Sequence, residues 1–260
     1  MLERQIAAQA RPVVLGVCGA QGSGKSTLAA WLEADCKRRD IPAAVLSIDD
    51  LYLTRAEREH LARTVHPLLG TRGVPGTHDV RLGLDILAAI DRGETPALPR
   101  FDKARDDRFP AVQWDKAPAG CRVVILEGWC VGARPQHPSI LASPVNDLEK
   151  LEDAQGVWRR FVNEALAGEY QCLFERLDLL LLLAAPCFDV VRGWRLQQEM
   201  DLRARVRAGA SGLMDEAGIE RFIQYYQRLT QHILEEMPGR ADVTVWLDED
   251  RTVRRMDGGG

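Results

Sequence analysis

Five short runs of apolar residues divide the chain, and the segments between them show the period of amphipathic helices. Each run is rich in Val, Leu and Ile, which is typical of a strand buried inside a parallel sheet. The predicted strands are residues 13–18, 43–48, 122–126, 177–184 and 243–247. Strands that alternate with helices predict an α/β fold, with a parallel sheet of about five strands and helices on both faces.

The helical pattern is clearest in five segments, residues 27–39, 81–91, 147–167, 186–207 and 216–237. Thr54 and Glu57 have the spacing of a capping box, which predicts a short helix after the second strand. Residues 64–79 and 93–120 are rich in Gly, Pro and charged side chains and are predicted loops. We expect one domain over residues 13–250, an N-terminal arm at 1–12 and a flexible C-terminal tail at 251–260.

Residues 19–26 read G-x-x-x-x-G-K-S, the Walker A motif, between the first predicted strand and a predicted helix. Glycines let successive backbone N–H groups turn onto phosphate oxygens, and the helix directs its positive end at the same anion. Lys25 can reach the β- and γ-phosphates, and the Ser26 hydroxyl can bind Mg²⁺. The sequence predicts a nucleoside triphosphate held by Gly19, Gln21, Gly22, Ser23, Gly24, Lys25, Ser26 and Thr27.

Carboxylates follow two further predicted strands, with Asp49 and Asp50 after the second and Glu127 after the third. Ligands of parallel α/β sheets bind at the carboxyl ends of the strands, so these groups are expected beside the phosphate loop. A carboxylate there can bind the metal or orient an acceptor hydroxyl, although Asp49 and Asp50 could also simply cap the turn. The predicted metal ligands are Ser26, Asp49 and Glu127.

The two predicted loops contain side chains that suit a small polar acceptor. A loop histidine beside a carboxylate can contact hydroxyls, and an arginine or lysine can pair with a carboxylate of the substrate. The substrate-binding candidates are Asp50, Tyr52, His78, Asp79, Arg100, Lys103 and Arg108. Any of the three basic residues, Arg100, Lys103 or Arg108, could pair with a carboxylate of the substrate.

Composition limits the partners. The net charge is −4 without a basic run, and the apolar runs are too short for a membrane span, so no nucleic-acid or membrane partner is expected. The six cysteines form no C-x-x-C pair, and we expect a reduced, cytoplasmic protein. Neither the N-K-x-D stretch of GTPases nor the L-S-G-G-Q transporter signature is present in the sequence.

Four further stretches occur in a fixed order, namely S-I-D-D-L-Y, L-P-R-F-D-K, V-V-I-L-E-G-W and W-R-L-Q-Q-E-M-D-L-R. Together with the Walker A motif they resemble the D-glycerate 3-kinase branch of the phosphoribulokinase/uridine kinase superfamily. The resemblance covers almost the whole chain, and the W-R-L-Q-x-E stretch is more specific than the phosphate loop. One departure is Phe101, where the family usually has Tyr.

The resemblance implies a P-loop kinase fold with a helical lid at about residues 195–215, and ATP and Mg²⁺ as cofactors. By position, Asp49 matches the acceptor-activating aspartate, and Arg195 and Arg203 match arginines on the helix that enters the lid. With Lys25 these are the expected catalytic residues. The expected reaction phosphorylates a small hydroxy acid, with D-glycerate to 3-phosphoglycerate as first choice. The alternatives are a uridine, pantothenate or other polyol kinase, or a regulatory P-loop NTPase without a small acceptor.

Overall fold

The computed structural model describes residues 1–205 and 216–258, except for the side chains of residues 198–205 and 216–217. Over these residues a six-stranded sheet has the order β10-β9-β8-β1-β7-β2, and two short hairpins lie apart from it. The strands are β1 Val13–Gly19, β2 Ala43–Ser47, β3 Ala97–Leu98, β4 Phe101–Asp102, β5 Asp107–Arg108, β6 Asp115–Lys116, β7 Val123–Gly128, β8 Leu179–Ala184, β9 Val243–Leu247 and β10 Val253–Gly258.

The five strands expected from the sequence are confirmed as β1, β2, β7, β8 and β9, and they pair with one another in parallel. In β1 and β7 every residue is buried, because helices cover both faces of the central sheet. Val14 and Cys18 pack into the larger core cluster on one face, whereas Leu15 and Val17 pack with α2 Lys25–Arg38 on the other. The period of two along β1 therefore divides the core into two layers.

The C-terminal tail differs from the expectation of flexibility. Residues 253–258 form β10, which pairs antiparallel with β9 at the edge of the sheet. Trp246 of β9 makes cross-strand contacts: its Nε1 donates to Asp257 Oδ2 at 2.6 Å, and Arg255 lies over its ring. The segment is polar and exposed, so its own sequence gave no strand signal, and these cross-strand pairs are what stabilise it.

The helices follow the predicted order, with one short addition between α6 and β8. The predicted helix at 147–167 is divided near Gly156 into two, and residues 93–120 contain the two short hairpins β3–β6 and β4–β5. The helices of the described residues are α1 Leu2–Ala8, α2 Lys25–Arg38, α3 Arg55–Thr64, α4 Val80–Asp91, α5 Asp147–Glu152, α6 Val157–Ala167, α7 Glu169–Phe174, α8 Phe188–Arg205 and α9 Glu216–Glu236. None of these helices has both the length and the apolar character needed to cross a membrane.

The register of the central strands places their carboxyl ends side by side. Val17 of β1 and Ser47 of β2 both pair with Glu127 of β7, which lies between them. The phosphate loop follows β1 within two residues of this level, and Asp49 follows β2 by the same distance. The sheet thus gathers the loop, Asp49 and Glu127 at one edge, as the sequence predicts.

The capping box of α3 gives a stability prediction. Thr54 Oγ1 accepts from Glu57 N, and Glu57 Oε2 accepts from Thr54 N at 2.7 Å. We expect Thr54→Ala to lower the free energy of unfolding by about 1 kcal/mol, because the backbone N–H of Glu57 loses its acceptor. Urea unfolding followed by circular dichroism measures this. Thr64→Ala, at the other end of α3, is the matched control, and an equal loss there would contradict a specific capping effect.

Candidate active site

The phosphate loop, residues 19–26, joins the end of β1 to the start of α2. Gly22 and Gly24 have φ angles of 81° and 91°, in the left-handed region that residues with a Cβ rarely adopt. No side chain caps the N-terminus of α2, so its first N–H groups are free to bind an anion. Lys25 begins this helix, Thr27 is exposed in its first turn, and Gln21 is half-buried in the loop.

Ser26 and Glu127 meet at the base of this loop. The Ser26 hydroxyl donates to Glu127 Oε1 at 3.2 Å, and Glu127 is 5% exposed. Its second oxygen, Oε2, is buried with no hydrogen-bond partner among the described residues. One carboxylate and one hydroxyl fit Mg²⁺, which binds few protein ligands and takes the rest from phosphate and water. No cluster of three or more His, Cys, Asp or Glu suited to a metal occurs among the side chains that the structure describes.

Asp49 lies in the 3₁₀ turn Ile48–Leu51 that follows β2. Its Oδ2 accepts from Lys103 Nζ at 2.7 Å, and its Oδ1 accepts from Tyr52 Oη at 2.7 Å. Burial alone would raise the pKa of Asp49, but the charges of Lys103 and Lys25 and these two hydrogen bonds hold the pKa well below its usual range. Asp49 is therefore ionised at neutral pH and lies within the field of the phosphate-loop lysine.

Asp50 has different partners. Its Oδ1 accepts from Phe101 N at 2.9 Å, and its Oδ2 accepts from Arg100 Nη1 at 3.1 Å. Burial raises the pKa of Asp50, partly offset by these bonds and the Arg100 charge. Asp50 thus ties the strand β4 to the end of β2, while Asp49 faces the two lysines.

His78 is buried beside Tyr170. Gly76 N donates to Tyr170 Oη at 3.0 Å, and a hydrogen bond of 2.5 Å joins this hydroxyl to His78 Nδ1. The other ring nitrogen, Nε2, is buried without a partner among the described residues. Burial lowers the pKa of His78 to about 4. The ring stacks on Tyr52, with the two centroids 4.6 Å apart.

Asp79 both caps a helix and forms an ion pair. Its Oδ1 accepts from Leu82 N at 3.0 Å at the start of α4, and its Oδ2 accepts from Arg108 Nη2 at 3.0 Å. Arg108 Nε also donates to Tyr52 O at 2.7 Å. The structure thus brings together all of the predicted acceptor-site residues, and the three basic ones, Arg100, Lys103 and Arg108, each pair with a carboxylate of the chain.

Of the two arginines assigned to the lid, the structure describes the side chain of Arg195 only. The Arg195 guanidinium lies over the Phe222 ring of α9, 5.6 Å from the ring centroid. The side chain of Arg203 and residues 206–215, about half of the predicted lid, lie outside the described residues.

Several residues of the site were not predicted from the sequence. Trp129 Nε1 donates to Gly73 O at 2.8 Å, and its ring packs edge-on against Tyr226. A Cβ on Gly73 would lie 2.0 Å from Tyr226 Oη, so this loop approaches α9 as only glycine allows. Arg72, the residue before it, lies over the Phe101 ring. The Gly- and Pro-rich composition of residues 70–77 was the available signal for a close approach.

A second contact that the sequence did not predict lies behind the phosphate loop. Arg251 Nε donates to Gly22 O at 2.7 Å, and the Arg251 guanidinium lies over the Trp194 ring. A Cβ on Gly22 would lie 2.6 Å from Trp194 Cβ, so the loop packs directly against α8. The turn between β9 and β10 therefore holds the phosphate loop from behind.

A cavity of about 760 Å³ adjoins the acceptor side of the site. His78, Asp79 and Tyr170 form part of its wall, and most of the remainder is apolar surface of α3 and α6. Neither Asp49 nor Glu127 lines it. An apolar cavity of this kind does not match a small, highly polar acceptor.

Comparisons with known proteins identify relatives over most of the chain. The uncharacterized kinase mug58 of Schizosaccharomyces pombe is 39% identical over an alignment of 236 residues. The match covers 86% of this chain and 82% of that protein. The chloroplastic D-glycerate 3-kinase of Arabidopsis thaliana is 28% identical over 92% of this chain, a match that spans 53% of the longer plant protein. No protein-family model matches the chain.

Solved structures share the fold. The structure of the YGR205w protein has a TM-score of 0.76 at 27% identity, over 98% of this chain and 92% of that one. The D-glycerate 3-kinase of Cryptococcus neoformans has a TM-score of 0.80 at 24% identity, over 99% and 96% of the two chains, which shows a common fold.

The phosphate loop, the parallel sheet and the relatives together define a P-loop kinase. Within that superfamily the chain belongs to the same kinase family as mug58, and the match to the plant D-glycerate 3-kinase confirms the resemblance read from its motifs. It is a phosphotransferase that uses an alcohol group as acceptor.

The lowered pKa of His78 predicts a specific acid sensitivity. The pKa of His78 is about 6.5 in the unfolded chain but about 4 in the folded protein. Stability is therefore lost as the pH falls through this window. We expect the free energy of unfolding to fall by about 3 kcal/mol more for the native protein than for His78→Asn between about pH 7 and about pH 4.

Chemical denaturation at several pH values measures this difference. Asn keeps an acceptor for the Tyr170 hydroxyl but has no titrating group, so the comparison isolates the imidazole. His60→Asn, on an exposed turn of α3, is the matched control and should keep the native pH dependence. Parallel pH profiles for the native protein and His78→Asn would contradict the prediction.

Proposed function

We propose that the protein transfers the γ-phosphate of Mg-ATP to a hydroxyl of a small hydroxy acid, with D-glycerate to 3-phosphoglycerate as the reaction. The observation that supports this best is the position of Asp49, an ionised carboxylate beside the phosphate-loop lysine and surrounded by basic side chains. The plant and Cryptococcus relatives named as D-glycerate 3-kinases add support for the acceptor.

The nucleotide half uses backbone and fixed charge. The free N–H groups of the loop and of α2 would bind the phosphate oxygens, with Lys25 on the β- and γ-phosphates. Ser26 and Glu127 would bind Mg²⁺, which would supply positive charge to offset the charge of the phosphates. Asp49, the third metal ligand expected from the sequence, is bonded to Lys103 and Tyr52, and we propose that it acts on the acceptor.

Asp49 would accept a hydrogen bond from the acceptor hydroxyl and orient its oxygen toward the γ-phosphate. Its low pKa makes it a weak base, which suits a loose transition state in which the attacking hydroxyl keeps its proton until late. Tyr52, on the other carboxylate oxygen, fixes the orientation of Asp49. Lys103, 62% exposed on its hairpin, can move from Asp49 as the acceptor enters.

The acceptor side favours an acid over a nucleoside. Stacking of a uracil base requires a free aromatic face, but Phe101 packs edge-on against Tyr52 and lies under the guanidinium groups of Arg58 and Arg72. The positive charge of these guanidinium groups favours an anionic acceptor. We therefore rank uridine below a small hydroxy acid. Pantothenate is itself a hydroxy acid and stays the alternative that the test must distinguish, and a regulatory NTPase without acceptor ranks last.

The lid remains a proposal based on the sequence. Arg195 and Arg203 on α8 would approach the transferring phosphoryl group as a lid at about residues 195–215 closes and excludes water. We also keep the sequence-based expectations of a cytoplasmic location and of a small molecule as the only substrate besides nucleotide.

The acceptor is tested by coupled ADP release with D-glycerate, glycerol, uridine and pantothenate. We expect D-glycerate to be phosphorylated at least about a hundredfold faster than glycerol or uridine at equal concentration, because a neutral analogue leaves the basic groups unpaired. Lys25→Ala should lose on the order of a hundredfold or more in turnover and serves as the activity control. Efficient phosphorylation of uridine or pantothenate without activity on D-glycerate would overturn the substrate. ATP hydrolysis indifferent to every acceptor would favour the regulatory NTPase.

The role of Asp49 is tested against its neighbour. We expect Asp49→Asn to lower kcat on the order of a hundredfold or more with ATP binding retained, because the neutral amide lacks the negative charge and the basicity that attract the hydroxyl proton. Asp50→Asn is the matched control and should act mainly on stability, since Asp50 anchors Arg100 and β4. The assignment fails if Asp50→Asn abolishes turnover and Asp49→Asn does not.

A further inference from the structure

The structure places an unassigned arginine at the acceptor site, and we infer that Arg72 binds the carboxylate of the acceptor. The inference rests on the proposed function, since it supposes an acid as acceptor. It replaces the basic residues that the sequence suggested, Arg100, Lys103 and Arg108, in the particular role of holding the acid.

Arg72 contacts two aromatic residues, Phe101 and Tyr226. Its guanidinium is 5.4 Å from the centroid of Phe101, which packs against Tyr52, the residue bonded to Asp49. Its backbone carbonyl accepts from Tyr226 Oη at 3.4 Å. Burial and the Asp49 charge raise the pKa of Tyr226, whereas Arg72 acts in the opposite direction, so both charges act on this one phenol.

The charges of the acceptor site distinguish Arg72 from the other candidates. Lys103, Arg100 and Arg108 each have a carboxylate of their own, Asp49, Asp50 and Asp79 respectively. Arg72 instead shares a single carboxylate, that of Asp106, with Arg58. Two guanidinium groups and one carboxylate leave one net positive charge. An anionic group of the substrate would neutralise this charge.

Of the two arginines, only Arg72 can reach a ligand. Arg58 is 1% exposed, and its N–H groups bind Leu53 O, Gly70 O and the Asp106 carbonyl and carboxylate. Arg72 is 24% exposed, and among the described residues only its Nη1 has a hydrogen-bond partner, Asp106. Its Nε and Nη2 donors are therefore available for a carboxylate, in the fork geometry that such a pairing needs.

The backbone beside Arg72 is held firmly, so the guanidinium is preorganised. Gly73, the next residue, accepts from Trp129 Nε1 and donates its N–H to Thr77 Oγ1 at 3.0 Å. Its close approach to Tyr226 leaves no room for a side chain. Because the backbone holds Arg72 in place, less conformational entropy is lost when a ligand binds. The fixed position of its guanidinium also makes binding selective for the length of the acceptor.

The test measures KM and kcat of Arg72→Gln with D-glycerate and with glycerol. We expect the KM for D-glycerate to rise about tenfold to a hundredfold, with kcat changed less than about threefold and the KM for ATP unchanged, because a charge-assisted pairing is lost in binding alone. The reaction with glycerol should be unaffected, so that the preference for the acid largely disappears. Arg72→Lys keeps the charge without the fork and should give a smaller rise in KM.

Two further variants separate binding from a purely structural role. Asp106→Asn removes the shared carboxylate and suits the positive φ of this residue. If Arg72 merely anchored the β4–β5 hairpin through Asp106, Asp106→Asn would reproduce the rise in KM. If Arg72 binds the acid, Asp106→Asn leaves the KM for D-glycerate equal or lower. Arg105→Gln, at an exposed arginine of the same hairpin, is the matched control.

The outcomes distinguish this inference from the proposed function. If the native protein phosphorylates D-glycerate and Arg72→Gln leaves its KM unchanged, the inference is overturned and the proposed function stands. Should Arg72→Gln fail to fold, an unchanged KM in Arg72→Lys has the same meaning. If the native protein phosphorylates no hydroxy acid, the proposed function fails and this inference falls with it.

Discussion

The parallel register of β2, β7 and β1 is the constraint on which the whole site depends. Because Ser47 and Val17 both pair with Glu127, the three strands end at one level and deliver three different chemical groups to a common edge. A shift of the register by one residue would direct Glu127 to the other face of the sheet, away from Ser26. The buried apolar side chains of these strands, which fix the register, therefore determine the geometry of the chemistry.

The two halves of the site are built differently. The nucleotide half consists of backbone N–H groups, a hydroxyl and a carboxylate, one oxygen of which has no hydrogen-bond partner among the described residues. In the acceptor half, three cations are each paired with a carboxylate, whereas Arg72 has donors available. An acceptor hydroxyl must therefore displace Lys103 from Asp49. An acid can offset that loss by pairing with Arg72, and a neutral molecule cannot.

The features best predicted from the sequence are those that depend on residues close to one another along the chain. The five parallel strands, the Thr54–Glu57 capping box and the edge that gathers the phosphate loop, Asp49 and Glu127 all follow from local pattern and strand order. Arg72 and Tyr226, 154 residues apart, meet only through tertiary packing, and no periodicity signals that contact. β10 was missed for a related reason, since its stabilising partner, Trp246, lies on another strand.

The bond from Arg251 to Gly22 joins residues 229 positions apart and has a consequence for synthesis of the protein. The phosphate loop is synthesised well before the guanidinium that holds it from behind. β9, the neighbour of β8 in the sheet, is also synthesised after the other parallel strands. A nascent chain thus presents its glycine-rich loop without this support until the β9–β10 hairpin has left the ribosome.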